Sequence, residues 1–180
     1  MGRFFTALIC LFILPLKGLW ACDFERNLYG KSLKEVVSEF DQKDFYVPDN
    51  IEDFDLPLLG SDICNKSAMS AGVFNYYFIE NKLVEINYKG EGSSKKIVSE
   101  LESEFGKNSS AAMLDSSSDD HAHLFWSAKD STVLFYTERQ DGVLFSNIKA
   151  ESKKYAPLKN ALLIQEEEQQ FKLGLAGGEE

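Results

Sequence analysis

The stretch from Ala71 to Gly90, AGVFNYYFIENKLVEINYKG, restricts the fold more than any other part of the chain. Two runs rich in β-branched and aromatic residues flank Glu80-Asn81-Lys82, the pattern of an antiparallel hairpin. Side chains alternate between the faces of a strand, so the register decides which surface is buried. A two-residue turn at Asn81-Lys82 pairs Ile79 with Val84 and Tyr77 with Ile86. It leaves Phe74, Tyr76 and Phe78 on the other face beside Glu85 and Asn87. A three-residue loop pairs Phe78 with Val84, Tyr76 with Ile86 and Phe74 with Tyr88, which gathers all six on one side. Burial of apolar surface is worth about 25 cal/mol per Å². The second register is therefore expected, with the aromatic trio in the core.

The flanking segments supply helices and further strands. In SLKEVVSEF, Ser32 and Glu35 form a capping box, and Leu33, Val36, Val37 and Phe40 follow at helical spacing. YVPDNIEDFDLPLLGSD reads as a long surface loop, because Pro48, Pro57 and Gly60 interrupt it. SSKKIVSELESEFGK reads as a helix capped by Ser93 or Ser94, with Ile97, Val98, Leu101 and Phe105 inward and Gly106 as its stop. NSSAAMLDSSSDD is a polar loop. HLFWS, STVLFYTE and GVLFSN are three strands, the last two joined by RQDG with its Asp141-Gly142 turn signal. A final helix starts near Pro157, with Leu158, Ala161 and Leu162 inward. The expected fold class is α+β: an antiparallel sheet of about five strands (hairpin, helix, three-strand meander) with helices packed on one face. Residues 22–173 form a single domain, and 174–180 a frayed acidic tail.

The first 21 residues have a different character. Arg3 gives a positive start, FFTALICLFILPL is nearly unbroken apolar sequence, and LWA precedes Cys22. That is the layout of a secretory signal peptide cut after Ala21. The run is short of the roughly 20 apolar residues that a spanning helix needs, and Lys17 interrupts it. The expected location is periplasmic or secreted. Cys10 leaves with the leader, so Cys22 and Cys64 remain, and two cysteines in an oxidising compartment suggest one disulfide. It closes a loop of about 40 residues, worth about 4 kcal/mol on the chain-entropy model. The rival is lipidation. Leu19, Ala21 and Cys22 resemble a bacterial lipobox, although Trp20 departs from it and no Gly/Ser tether follows. A lipid anchor at Cys22 would leave Cys64 as a lone thiol.

Charge narrows the partners. The leader carries Arg3 and Lys17 and no acids, so the exported form has 17 basic residues against 29 acidic ones, a net charge of −12. Such a chain repels phosphate backbones and anionic lipid heads, so no nucleic acid is expected, and no membrane unless Cys22 is lipidated.

Catalytic patterns are few. His121 and His123 in DDHAH are the weak metal candidates, with oxygen from Asp119 and Asp120. They would share a face if the strand begins that early, and the remaining ligands would have to come from elsewhere. GEGSSKK follows a strand and opens a helix, as phosphate loops do, but it lacks their spacing and carries Glu91. No serine, Ser116 to Ser118 included, lies in a nucleophile elbow. Asn65-Lys66-Ser67 and Asn108-Ser109-Ser110 match the glycosylation sequon. The expectation is a small exported binding or accessory domain, not an enzyme, with no cofactor, that meets another protein or an envelope component. The alternatives are a metal-dependent hydrolase using His121 and His123, and a lipid-anchored envelope protein held through Cys22.

Overall fold

The computed structural model describes residues 22, 24–25, 27–40, 45, 47, 53–91, 93–108 and 122–176, the last nine by their backbone alone. The expected leader, His121 and most of the NSSAAMLDSSSDD loop lie outside these residues. The elements are α1 (Leu33–Glu39), β1 (Asp53–Leu59), α2 (Gly60–Ile63), a 3-10 turn (Ala68–Ala71), β2 (Gly72–Ile79), β3 (Lys82–Glu91), α3 (Ser94–Phe105), β4 (His123–Ser127), β5 (Ser131–Gln140), β6 (Val143–Ser152) and α4 (Ala156–Ala176). Among the described residues, six strands form one antiparallel sheet in the order β1-β2-β3-β6-β5-β4. The fold is α+β.

The hairpin keeps most of the expected register and reaches it by another route. Tyr76 pairs with Ile86 and Phe74 with Tyr88. The turn, however, has two residues, Glu80 and Asn81, both in the left-handed region with φ of 49° and 56°. That conformation matches the twist of the flanking strands. It brings Phe78 opposite Leu83, and a bulge between Tyr77 and Phe78 restores the register further on. Val84 is the extra residue. Phe74, Tyr76, Phe78, Leu83, Ile86 and Tyr88 all join the main apolar cluster; Val84 is buried outside it. Leu83 thus takes the place expected of Val84.

The segment read as a loop contains the sixth strand. In Asp53–Leu59, Leu56 and Leu58 are buried while Asp53, Asp55, Pro57 and Leu59 are exposed, a two-residue alternation. Pro57 is tolerated because β1 lies at the sheet edge, where one side of the strand has no ladder to feed. At the other hairpin, Asp141 and Gly142 take φ of 51° and 86°, the turn that the sequence signals. β6 extends to Ser152, because β3 and β5 bond it on both sides.

One sheet face carries the core. α1 has its capping box and buries Leu33, Val36 and Val37; α3 buries Ile97, Val98 and Leu101. These side chains form one cluster with Phe135, Ile148, Trp126 and the strand residues named above. Ser93 is the N-cap of α3, but its side chain makes no capping hydrogen bond; Ser94 turns inward to Ser146 at 3.0 Å.

α4 departs from expectation. Its Lys159 bonds Glu85, which alternates with core residue Ile86 and so points from the opposite, outer face. The helices are therefore not all on one side. Leu158 and Leu162 are half-buried and Ala161 is exposed. The helix continues through Glu166 and Glu167 to Ala176, so 174–176 are helical where a frayed tail was expected. Among the described residues, no helix is long and apolar enough to cross a membrane.

Candidate functional site

The chain from Cys22 to Lys31 is held at four places. Cys22 forms a disulfide with Cys64, the C-cap of α2, with Cα atoms 5.1 Å apart and both residues buried. Phe24 is fully buried, with its ring centroid 5.5 Å from Phe74 and 6.4 Å from Phe105. Its carbonyl accepts a 3.2 Å hydrogen bond from Tyr76 Oη. Finally, Gly30 N–H donates to the Leu83 carbonyl at 2.9 Å, and Leu83 N–H donates to the Lys31 carbonyl at 3.0 Å. Gly30 has φ of +82°, and a Cβ there would stand 2.2 Å from Tyr155 Oη. Only glycine meets both demands.

This segment forms one wall of a cleft of about 700 Å³. The opposite wall comes from the β4–β5 turn, Ala128 to Ser131, and from Ser152 to Tyr155 after β6. On the floor, Glu25 collects two hydroxyls: Tyr29 Oη donates to Oε1 at 2.9 Å, and Ser131 Oγ to Oε2 at 3.3 Å. Burial and the neighbouring Glu25 carboxylate push the Tyr29 phenol far above its ordinary range, so it remains a hydrogen-bond donor at every physiological pH. The rim carries Lys129, Lys153 and Lys154 against Asp130 and Glu104. Lys153 Nζ bonds the Ser127 hydroxyl at 3.0 Å and the Ala128 carbonyl, and its backbone N–H donates to the Asp130 carbonyl at 3.0 Å. Those bonds set the shape of the turn. Lys154 Nζ lies 4.9 Å from the centre of the Tyr155 ring. The cleft therefore offers hydroxyls, a carboxylate, aromatic edges and cations, which suits hydrogen bonding and ion pairing with a ligand. The Tyr29 and Ser131 hydroxyl protons go to one carboxylate, and no imidazole lines the cleft among the described residues.

A second cluster sits on the outer face. Glu85 is 5% exposed and bonds Lys159, Asn87 Nδ2 at 2.7 Å and Lys149 at 3.3 Å. Burial alone would raise its pKa. The hydrogen bonds from Lys159 and Asn87, with the Lys149 charge, outweigh that and hold the carboxyl below its ordinary value. Lys149 responds in the matching sense: burial lowers it, but Glu85 more than compensates and raises it. This network fastens α4 to the sheet.

The residues singled out from sequence fall in different places. His123 begins β4 and faces outward, its ring stacked on Tyr136 with centroids 6.1 Å apart and planes 11° apart. His121, Asp119 and Asp120 lie outside the described residues. Among the described residues, no group of three or more His, Cys, Asp or Glu side chains converges on one point. In GEGSSKK, the Ser94 hydroxyl is turned to Ser146, away from any would-be anion. Asn65 is exposed on a turn, whereas Asn108 Nδ2 donates to the Phe125 carbonyl at 2.9 Å. Sequence reading missed Glu25, Tyr29 and Ser131. Glu25 and Ser131 are 106 residues apart, so no local spacing joins them. Glu85, a lone acid between Val84 and Ile86, was the one visible signal of the outer cluster.

No protein-family model matches the chain, and neither does any curated protein or solved structure.

Proposed function

We propose that this chain is a small exported binding domain that holds another protein or an envelope component and performs no chemistry of its own. The observation that carries the reading is the floor of the cleft, where Tyr29 and Ser131 both donate to Glu25. A serine nucleophile needs a base to take its proton, usually an imidazole that is itself oriented by a third group. Here the serine hydrogen bond ends on a carboxylate already engaged by a phenol, an arrangement suited to fixing orientation rather than to transferring protons. Export is supported by the leader-like Met1–Ala21 sequence and by the disulfide, which fits an oxidising compartment. The Cys22–Cys64 pairing also supports the disulfide over a lipid anchor, which would need the Cys22 thiol.

The test is a pull-down from the envelope of the native host, with the domain beginning at Cys22 as bait. A second bait carries Lys129→Glu and Lys154→Glu, two exposed rim positions. The expected result is a component retained by the first bait and depleted at least about tenfold by the second. Equal recovery with both baits would remove the cleft from the interaction. A stoichiometric transition metal in the purified protein would instead favour the hydrolase built on His121 and His123.

A further inference from the structure

Across the outer face, strand pairing sets Val73, Lys89, Asn147, Tyr136 and His123 in one row. Asn147 is the exception in it. Only 4% of the residue is exposed, and its Nδ2 has no hydrogen-bond partner. Its neighbour in the row, Lys89, reaches across the sheet: its Nζ lies 4.8 Å from the centre of the Phe145 ring on β6 and bonds Glu138 and Gln140 on β5, both at 2.9 Å. A buried amide without a partner destabilises a fold, and an apolar residue of the same size would remove that cost. A ligand that brings the missing acceptor accounts for the amide.

The surroundings define that ligand. Lys89 is neutralised by Glu138, and Lys149 by Glu85. With its cations paired, in a chain of net charge −10, this patch does not favour an anion. Flat rings lie beside it: the stacked His123–Tyr136 pair, and Phe125, which is 59% exposed two residues along β4. Rings of this kind pack against the C–H faces of pyranoses, while amides serve their hydroxyl oxygens. We infer that the outer face over β6, β5 and β4 binds a neutral saccharide, with Asn147 donating to a sugar oxygen and Phe125 and Tyr136 forming the platform. The Lys89–Glu138 pair is half-exposed, with 42% and 36% of the two side chains accessible, so parting it carries a modest cost. This face is on the opposite side of the sheet from the cleft, and the inference stands independently of it.

The experiment titrates the domain with maltohexaose, cellohexaose and tetra-N-acetylchitotetraose, followed by calorimetry and saturation-transfer NMR, with inorganic phosphate as the anionic comparison. At least one oligosaccharide is expected to bind, with saturation concentrated on ring C–H protons. Asn147→Leu and Phe125→Ala should each weaken that binding by about tenfold, the effect of losing one good contact. Asn147→Leu should also melt at or above the temperature of the unaltered protein, which a purely structural amide would not allow. Phe125→Ala removes an exposed side chain and tests the platform without touching the core. The inference is overturned if none of the three sugars binds, if both variants bind as before, if phosphate alone binds there, or if Asn147→Leu melts lower.

Discussion

Tyr76 shows how tightly single residues are constrained here. Its ring packs 5.3 Å from Phe40 and 6.4 Å from Phe74, and its hydroxyl donates to the Phe24 carbonyl. Tyr76→Phe keeps the ring and removes one hydrogen bond, so a loss of about 1 kcal/mol is expected in denaturant titration. Tyr76→Asp buries an unpaired charge and should unfold the domain. A Tyr76→Asp protein with an unchanged melting temperature would contradict the observed register. Gly30 is a second such position. Gly30→Ala should cost about 1–2 kcal/mol for its left-handed backbone alone, and more for the overlap with Tyr155. Thermal melting checks this, and an unshifted midpoint would show that the turn is not held as described. At this scale the core was legible in the sequence, because alternation and helical spacing are local patterns. Glu25, Tyr29 and Ser131 were not, because their meeting depends on how the N-terminal segment crosses the sheet.

Among the elements, the hairpin, α1, α3 and the three-strand meander follow from their sequence patterns. β1 did not, although DFDLPLL alternates as cleanly as any strand in the chain. Pro57 masked it, since proline argues against a central strand but not against an edge strand. α4 was placed on the wrong face because Leu158 and Leu162 suggested ordinary core packing, whereas a charged anchor decides its position. That anchor has a pH signature. The Glu85 carboxyl is held below its ordinary value of 4.5 in the folded state. Its contribution to stability is therefore complete above that value and is lost as pH falls through the lower, folded-state one. Glu85→Gln leaves Lys149 and Lys159 facing a neutral amide and should cost about 3 kcal/mol at neutral pH. The gap between the two melting temperatures should stay constant from neutral pH down to mild acid and close below it. A gap that is the same at all pH values would rule out the ion pair as the fastener of α4.

For the whole molecule, the Cys22–Cys64 bridge joins the segment that walls the cleft to the helix preceding the first hairpin. In the structure, Phe24, the Tyr76 hydrogen bond and the Gly30–Leu83 pairing hold that segment as well. Replacing both cysteines by serine should therefore destabilise the domain by about 2–4 kcal/mol without unfolding it under native conditions. Complete unfolding would show that these other contacts are weaker than their geometry implies. The same bond bears on both the proposed compartment and the cleft wall. The most direct measurement is the intact mass of the protein purified from its native host without reductant, followed by peptide mapping. The expected result is a chain that begins at Cys22, is two hydrogens lighter than its reduced form, and yields a linked Cys22–Cys64 peptide. A mass gain matching a diacylglyceryl group, with Cys64 open to alkylation, would contradict it.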